Sequence, residues 1–222
     1  MPLRARAGLD PWSRRKLIAT YERGLRRHGP TVRALKWNDE AGQRERFRLI
    51  AEVGPWPAAS VADVGCGLGD LFGFLVGEGH DVRYVGYDLS RRMVAAARAR
   101  YADPRARFQV RDILAEGLGG RFDYVVASGT FNLRVADHDR YLQGMLRAMY
   151  GACRRAVAFN IFHPYRDCRW EELASQVGYY SVPRSTIRRW CRRLSPRVEI
   201  RPGPREREST LYVRRPTVRD GC

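Results

Sequence analysis

Apolar residues recur at helical spacing through the first quarter of the chain, then switch after residue 60 to short, nearly continuous runs separated by polar turns. Pro11, Trp12 and Ser13 open a segment in which Leu17, Ile18, Tyr21 and Leu25 share one face, a helix that Gly29-Pro30 ends. A second stretch begins near Thr31, and residues 45–53 carry Phe47, Leu49, Ile50 and Val53 as another amphipathic helix. Gly54-Pro55-Trp56-Pro57 then breaks the chain. From there strands are predicted at 61–65, 82–87, 108–110, 122–127 and 155–162, alternating with helices at 71–76, 90–102 and 137–150. A helix over 185–194 and two strands at 198–201 and 210–213 complete the pattern, the last two forming a hairpin. Such alternation predicts an α/β doubly wound sheet with helices on both faces. The expected division is a helical cap over residues 1–57 and a Rossmann-like domain over 58–222.

Composition adds that the chain folds. With 222 residues, 44% hydrophobic and 29% charged, it has enough apolar surface for one ordinary core. No apolar run approaches the ~20 residues of a membrane span. The basic N-terminus lacks an apolar signal core, so a cytoplasmic protein with no membrane partner is the expectation. The net charge of +17 points toward a polyanion such as RNA. Against that, 39 of the 41 cations are arginine, the skew that a GC-rich coding sequence produces without selection for binding. The five cysteines are scattered, with no CxxC pair, and read as free thiols; no metal site is expected.

Chemistry concentrates where the first strand meets its helix. In Asp63-Val-Gly-Cys-Gly-Leu-Gly-Asp70, three glycines at alternating positions permit a tight turn and close approach of a ligand. A dinucleotide fingerprint would place a pyrophosphate on the following helix start. Here Asp63 and Asp70 flank the loop and would repel one, favouring a ligand with positive charge, such as an ammonium or a sulfonium. Asp88 closes the second strand 21 residues after Gly67, where a carboxylate accepts two hydrogen bonds from a ribose diol. After the third strand, Asp112 and Ile113 can meet an adenine amino group and ring face.

These segments, in this order, resemble the class I S-adenosylmethionine-dependent methyltransferases. Asp63-Val-Gly-Cys-Gly-Leu-Gly69 is similar to their glycine-rich first motif, and Asp88 to their ribose-binding acid. Asp112-Ile113 matches the adenine-contacting position, and Phe122-Asp-Tyr-Val-Val-Ala-Ser128 the fourth-strand motif whose tip faces the methyl group. The resemblance spans residues 60–215. It implies a seven-stranded Rossmann-like sheet ending in an antiparallel hairpin, with S-adenosyl-L-methionine as cofactor and S-adenosyl-L-homocysteine as product. The implied cofactor residues are Asp63, Gly65, Cys66, Gly67, Gly69, Asp88, Leu89, Asp112, Ile113 and Ser128.

The acceptor is less legible. The Asn/Asp-Pro-Pro-Tyr/Phe tetrad of nucleobase amino-methylating members is absent from the tip Ser128-Gly-Thr-Phe-Asn132. His163, at the end of the fifth strand, is the candidate general base, or else merely shapes the loop before Pro164. His28, His80 and His138 read as surface residues. Asn132, Tyr179 and Tyr180 are candidate acceptor contacts, the tyrosines equally readable as core aromatics beside Trp170. In the cap, Arg46 is a candidate for holding the cofactor carboxylate, and Trp37 or Tyr21 for closing over it. A small-molecule acceptor methylated at O, N or C, in a setting such as secondary metabolism, is the leading expectation. An RNA or other macromolecular acceptor follows, then a non-methylating use of the cofactor.

Overall fold

Seven strands form one sheet in the order β3-β2-β1-β4-β5-β7-β6, and the computed structural model describes it through residues 8–164 and 178–216. The strands are β1 Ala59–Val64, β2 Val82–Asp88, β3 Ala106–Val110, β4 Phe122–Ala127, β5 Cys153–Phe162, β6 Val198–Pro202 and β7 Glu208–Arg214. The first five run parallel, whereas β7 lies antiparallel to both β5 and β6. This is the doubly wound sheet with a closing hairpin that the sequence predicts. The parallel strands are nearly continuous apolar runs because helices cover both faces. On β4, Val125 and Ala127 enter one core while Tyr124 and Val126 enter the other.

The helices sort between those cores. Helices α2 Glu40–Ala51, α3 Asp70–Gly77 and α4 Arg91–Arg100 bury Phe47, Ile50, Phe72 and Val94 against one face. Helices α5 Ile113–Glu116, α6 His138–Ala152 and α7 Arg184–Arg192 cover the other with Leu114, Leu142, Met145 and Trp190. The order reverses between β1 and β4, which opens a crevice outside their carboxyl ends. Helix α1, Pro11–His28, and a 3-10 turn, Val32–Leu35, lie over that crevice. Helix α1 starts where Asp10 accepts a hydrogen bond from Ser13 N and Pro11 supplies a preset φ. It is fixed by Ala136 N donating to Ser13 Oγ at 3.0 Å and by Ser90 Oγ donating to Glu22 at 2.9 Å.

Two short elements were not in the sequence pattern: the 3-10 turn and α5. Each is a single turn, too short for hydrophobic periodicity to register. The second exists because Asp112 caps it, accepting from Leu114 N and Ala115 N. Cys66, Cys153 and Cys191 are buried free thiols, while Cys168 and Cys222 lie outside the described residues. Among the described residues no helix is long and apolar enough to cross a membrane.

Candidate functional site

The β1 strand ends in a loop that only glycine can build. Gly65 and Gly67 have φ of +75° and +53°, in the left-handed region. A Cβ on Gly65 would lie 2.6 Å from Thr130 Oγ1, and one on Gly67 2.9 Å from Leu35 Cδ2. Gly65 N and Cys66 N both donate to Tyr87 O, at 2.7 and 3.0 Å, which ties the loop to the end of β2. Gly67 N donates to Asp88 Oδ2 at 3.0 Å, and Ser90 N to Asp88 Oδ1 at 2.8 Å. The Asp88 carboxylate is therefore oriented by backbone on both oxygens. Burial raises its pKa, opposed by those amides.

The crevice is an open cleft with about 1080 Å³ of space including its mouth. Among the described residues, four carboxylates line it, Asp63, Asp70, Asp88 and Asp112, against a single cation, Arg111. Asp63 is buried beneath the loop, and desolvation pushes its pKa up to about 7 even though Tyr84 Oη donates to it. Asp70 accepts from Gln43 Nε2 at 3.1 Å and Arg100 Nη1 at 2.6 Å, yet burial still raises its pKa. Arg111 is occupied by the chain itself, stacking over Tyr87 at 5.8 Å and reaching Gly117 O at 3.3 Å. A cleft this rich in desolvated acids suits a ligand with a positive centre, and Asp88 stands ready for a diol. The residues present thus fit S-adenosylmethionine, whose ammonium and sulfonium are cations and whose ribose is a diol. Leu89, Met93 and Ile113 supply an apolar floor beside them.

At the switch point, Thr130 Oγ1 donates to Val64 O at 2.7 Å, joining the β4 tip to β1. Asn160, the polar residue inside the apolar run of β5, accepts from Gly129 N at 2.7 Å and donates to Ser128 Oγ at 3.1 Å. It is a buried clamp on the β4 tip. Trp37 lies against Gly129, whose Cβ would meet its ring at 2.7 Å, and forms part of the cleft wall. Leu17, Ile18 and Tyr21 of α1 and Tyr141 and Met145 of α6 complete the wall. The α6 pair was missed; its signal is the i,i+4 spacing of Tyr141 and Met145 on a helix that follows the β4 tip.

Of the sequence-predicted cofactor residues, Asp63, Gly65, Cys66, Gly67, Asp88, Leu89, Asp112, Ile113, Ser128 and Trp37 all line this cleft. Gly69 instead caps α3 just behind it, in the left-handed region with φ of +77°. Arg46 is a correction. Its Nε and Nη2 donate to the two Glu208 oxygens and its Nη1 to Gly42 O, and the buried side chain lies outside the cleft lining rather than facing a cofactor carboxylate. His163 is another. It is 6% exposed, its Nδ1 lies 2.8 Å from Val182 O and its Nε2 2.8 Å from Ser209 Oγ. The carbonyl fixes the proton on Nδ1, and Nε2 then accepts from the serine. Both nitrogens are spent on holding the end of β5, outside the cleft lining.

The predicted acceptor contacts also fall outside that lining. Asn132 is buried and its carbonyl accepts from Tyr180 N at 2.8 Å. Tyr180 stacks on His138 at 3.6 Å and donates to Asp139, a core aromatic. Tyr179 bridges to Leu133 and meets Phe162 edge-on at 6.2 Å. His138, expected at the surface, is buried under Tyr180, with desolvation taking its pKa down to about 4. Trp170 lies outside the described residues. No cluster of metal-ligating side chains occurs among the described residues.

Comparison with known proteins places this geometry. Residues 61–151 match a family model described as a methyltransferase domain. A putative methyltransferase of Mycobacterium tuberculosis is 31% identical over 173 residues, 76% of this chain and 99% of its own length. The ribosomal RNA small subunit methyltransferase C of Klebsiella pneumoniae is 26% identical over 158 residues, 65% of this chain but only 45% of that protein. Among solved structures, magnesium protoporphyrin IX methyltransferase from Synechocystis PCC 6803 with bound S-adenosylhomocysteine superposes with a TM-score of 0.69. It is 17% identical, and the match covers 92% of this chain and all of that one, a likeness of fold.

Proposed function

Because this chain belongs to the class I S-adenosylmethionine-dependent methyltransferases, we propose that it methylates an O, N or C atom of a small-molecule acceptor held inside the capped cleft. The observation that carries this reading is the closure of the cleft by Leu17, Ile18 and Tyr21 of α1 together with Leu35 and Trp37, apolar and aromatic walls around a confined space. In this reading Asp88 accepts both ribose hydroxyls and Asp63 faces the ammonium. Leu89 and Ile113 sandwich the adenine, whose amino group meets Asp112. The bound cofactor supplies an electrophilic methyl group on a sulfonium. What the chain supplies is position: the β4 tip, locked by Thr130 and Asn160, gives the acceptor a rigid floor for in-line approach. With His163 committed elsewhere, rate enhancement rests on orientation and exclusion of water rather than on an imidazole base.

Transfer of labelled methyl from S-adenosylmethionine into a fractionated extract of the source cells tests it. Label in the small-molecule fraction supports the proposal, and label confined to RNA contradicts it.

A specific observation favours RNA as a second reading, besides the name of the ribosomal RNA relative. The outer face of α1 carries Arg15, Lys16, Arg23, Arg26 and Arg27 in one stripe, with Trp12, 60% exposed, at its end. None of the five has a carboxylate partner among the described residues. Single-stranded RNA pairing with all five would bind with a log–log salt slope of about −3.5.

A further inference from the structure

As a carboxylate, Asp88 accepts hydrogen bonds and donates none, so the ribose hydroxyls that give it their protons keep oxygen lone pairs open to donors. Two phenols stand where such donors are needed. Tyr21 on α1 and Tyr141 on α6 both line the cleft, and neither hydroxyl has a hydrogen-bond partner among the described residues. Neither oxygen is among the unpaired polar atoms sealed from water, so both stay reachable from the cleft. Short chains of contact tie each one to the nucleoside acids. Glu22, the residue after Tyr21, accepts from Ser90 Oγ at 2.9 Å, and Ser90 N donates to Asp88 Oδ1 at 2.8 Å. Asp112 caps α5, whose Leu114 packs close on α6: a Cβ on Gly144, three residues after Tyr141, would lie 3.0 Å from Leu114 Cδ2. The Tyr141 ring is braced edge-on by Phe131 at 6.2 Å and by His138 at 5.4 Å. Burial raises the pKa of both phenols, helped at Tyr21 by the Asp88 charge and at Tyr141 by Asp112 and then Asp88, so each keeps its proton.

From two unspent donors beside an acceptor-only carboxylate, we propose that Tyr21 and Tyr141 complete the cofactor site by donating hydrogen bonds to the ribose oxygens that Asp88 holds. The inference rests on the cofactor placement proposed above and deepens it. Each ribose hydroxyl gives its proton to Asp88 and accepts one from a phenol, so it is paired in both its roles. Of the other lining hydroxyls, Ser90 and Thr130 spend their protons on Glu22 and Val64 O. The contacts of the two tyrosines lead to Asp88 and Asp112, the acids given to the nucleoside, and not to Asp63, which is given to the ammonium. A phenol left without a partner when the nucleoside displaces water would lose a hydrogen bond, and the ribose oxygens supply the one it needs. A ribose held from both sides is fixed in orientation, and the sulfonium joined to it is aimed with it.

The test is a double-mutant cycle on the full chain, with S-adenosylhomocysteine and its 2′,3′-dideoxy analogue as ligands and calorimetry or competition as the readout. Tyr21→Phe and Tyr141→Phe are each measured alone and together, with thermal unfolding to show that the fold is kept. Each substitution removes a single oxygen from a ring that stays in place. The expected result is that each single variant binds S-adenosylhomocysteine at least threefold more weakly and the double variant at least tenfold. Against the dideoxy analogue, which offers the phenols no hydroxyl, the same variants should stay within twofold of wild type. Variants that bind S-adenosylhomocysteine within twofold of wild type overturn the inference. Variants that weaken both ligands by the same factor also overturn it, because the phenols then act only as wall. If the wild-type chain does not bind S-adenosylhomocysteine, the cofactor placement itself fails, a result distinct from those two.

Discussion

Arg46 on α2 and Glu208 on β7, 162 residues apart, form a two-pronged ion pair with both side chains essentially sealed from water. The pair fastens α2 to the hairpin. Trp37 lies over the same guanidinium at 4.8 Å and in turn forms cleft wall, so the ion pair also braces the site from behind. Breaking such a pair strands a buried charge, at a cost of about 3–5 kcal/mol. Arg46→Ala and Glu208→Ala should each lose that much in urea unfolding. Arg46→Met combined with Glu208→Leu should recover most of it, because the stranded charge is gone. A single-variant loss below about 1 kcal/mol would show that water reaches the pair.

Asp63 makes stability and cofactor affinity pull in opposite directions. Its carboxyl keeps a proton in the folded chain up to about pH 7, whereas the unfolded chain releases it near 3.8. Across that window the folded state holds more protons, so stability falls as pH rises through it and levels off above. Asp63→Asn removes the penalty. The variant should gain thermal stability over wild type between pH 4 and 7 and keep the gain at pH 8, while binding S-adenosylhomocysteine at least tenfold more weakly. Wild-type affinity should drop as pH falls below about 7, since the ammonium then faces a neutral acid. Calorimetry at pH 6 and 8 measures both.

His163 should be silent in the chemistry. Its Nδ1–H and Nε2 bind Val182 O and Ser209 Oγ, and burial lowers its pKa. His163→Gln should destabilise the fold by about 1–3 kcal/mol through unsatisfied buried partners. The pH dependence of methyl transfer should keep the wild-type shape, and loss of one limb of that profile would restore His163 as a base.

What the sequence disclosed and what it hid have separate physical origins. The strands were legible because both faces of the sheet are covered, which turns 122–127 and 155–162 into apolar runs that turn residues bound sharply. The glycine loop and Asp88 were legible because they act through backbone and short range: Gly67 N to Asp88 is a contact that the strand–turn spacing itself creates. The rest of the cleft wall was only partly legible, because it is assembled from elements far apart in sequence: Tyr21 and Trp37 before the sheet were singled out, but Tyr141 after β4 was not. Arg46 and His163 misled for one reason. A lone polar residue near a site looks available until its partner is known, and Glu208 and Ser209 lie 162 and 46 positions away.

The cofactor site itself is tested most directly by titrating S-adenosylhomocysteine into wild type and Asp88→Ala by calorimetry, with thermal unfolding of both as a control. Asp88 holds the loop through Gly67 N at 3.0 Å and Ser90 N at 2.8 Å while facing the cleft. Losing its charge-assisted bonds to a diol should cost about 2–3 kcal/mol, a 30- to 150-fold loss of affinity, in a variant that still unfolds cooperatively. A folded Asp88→Ala protein that binds S-adenosylhomocysteine as tightly as wild type would contradict the placement of the cofactor in this cleft.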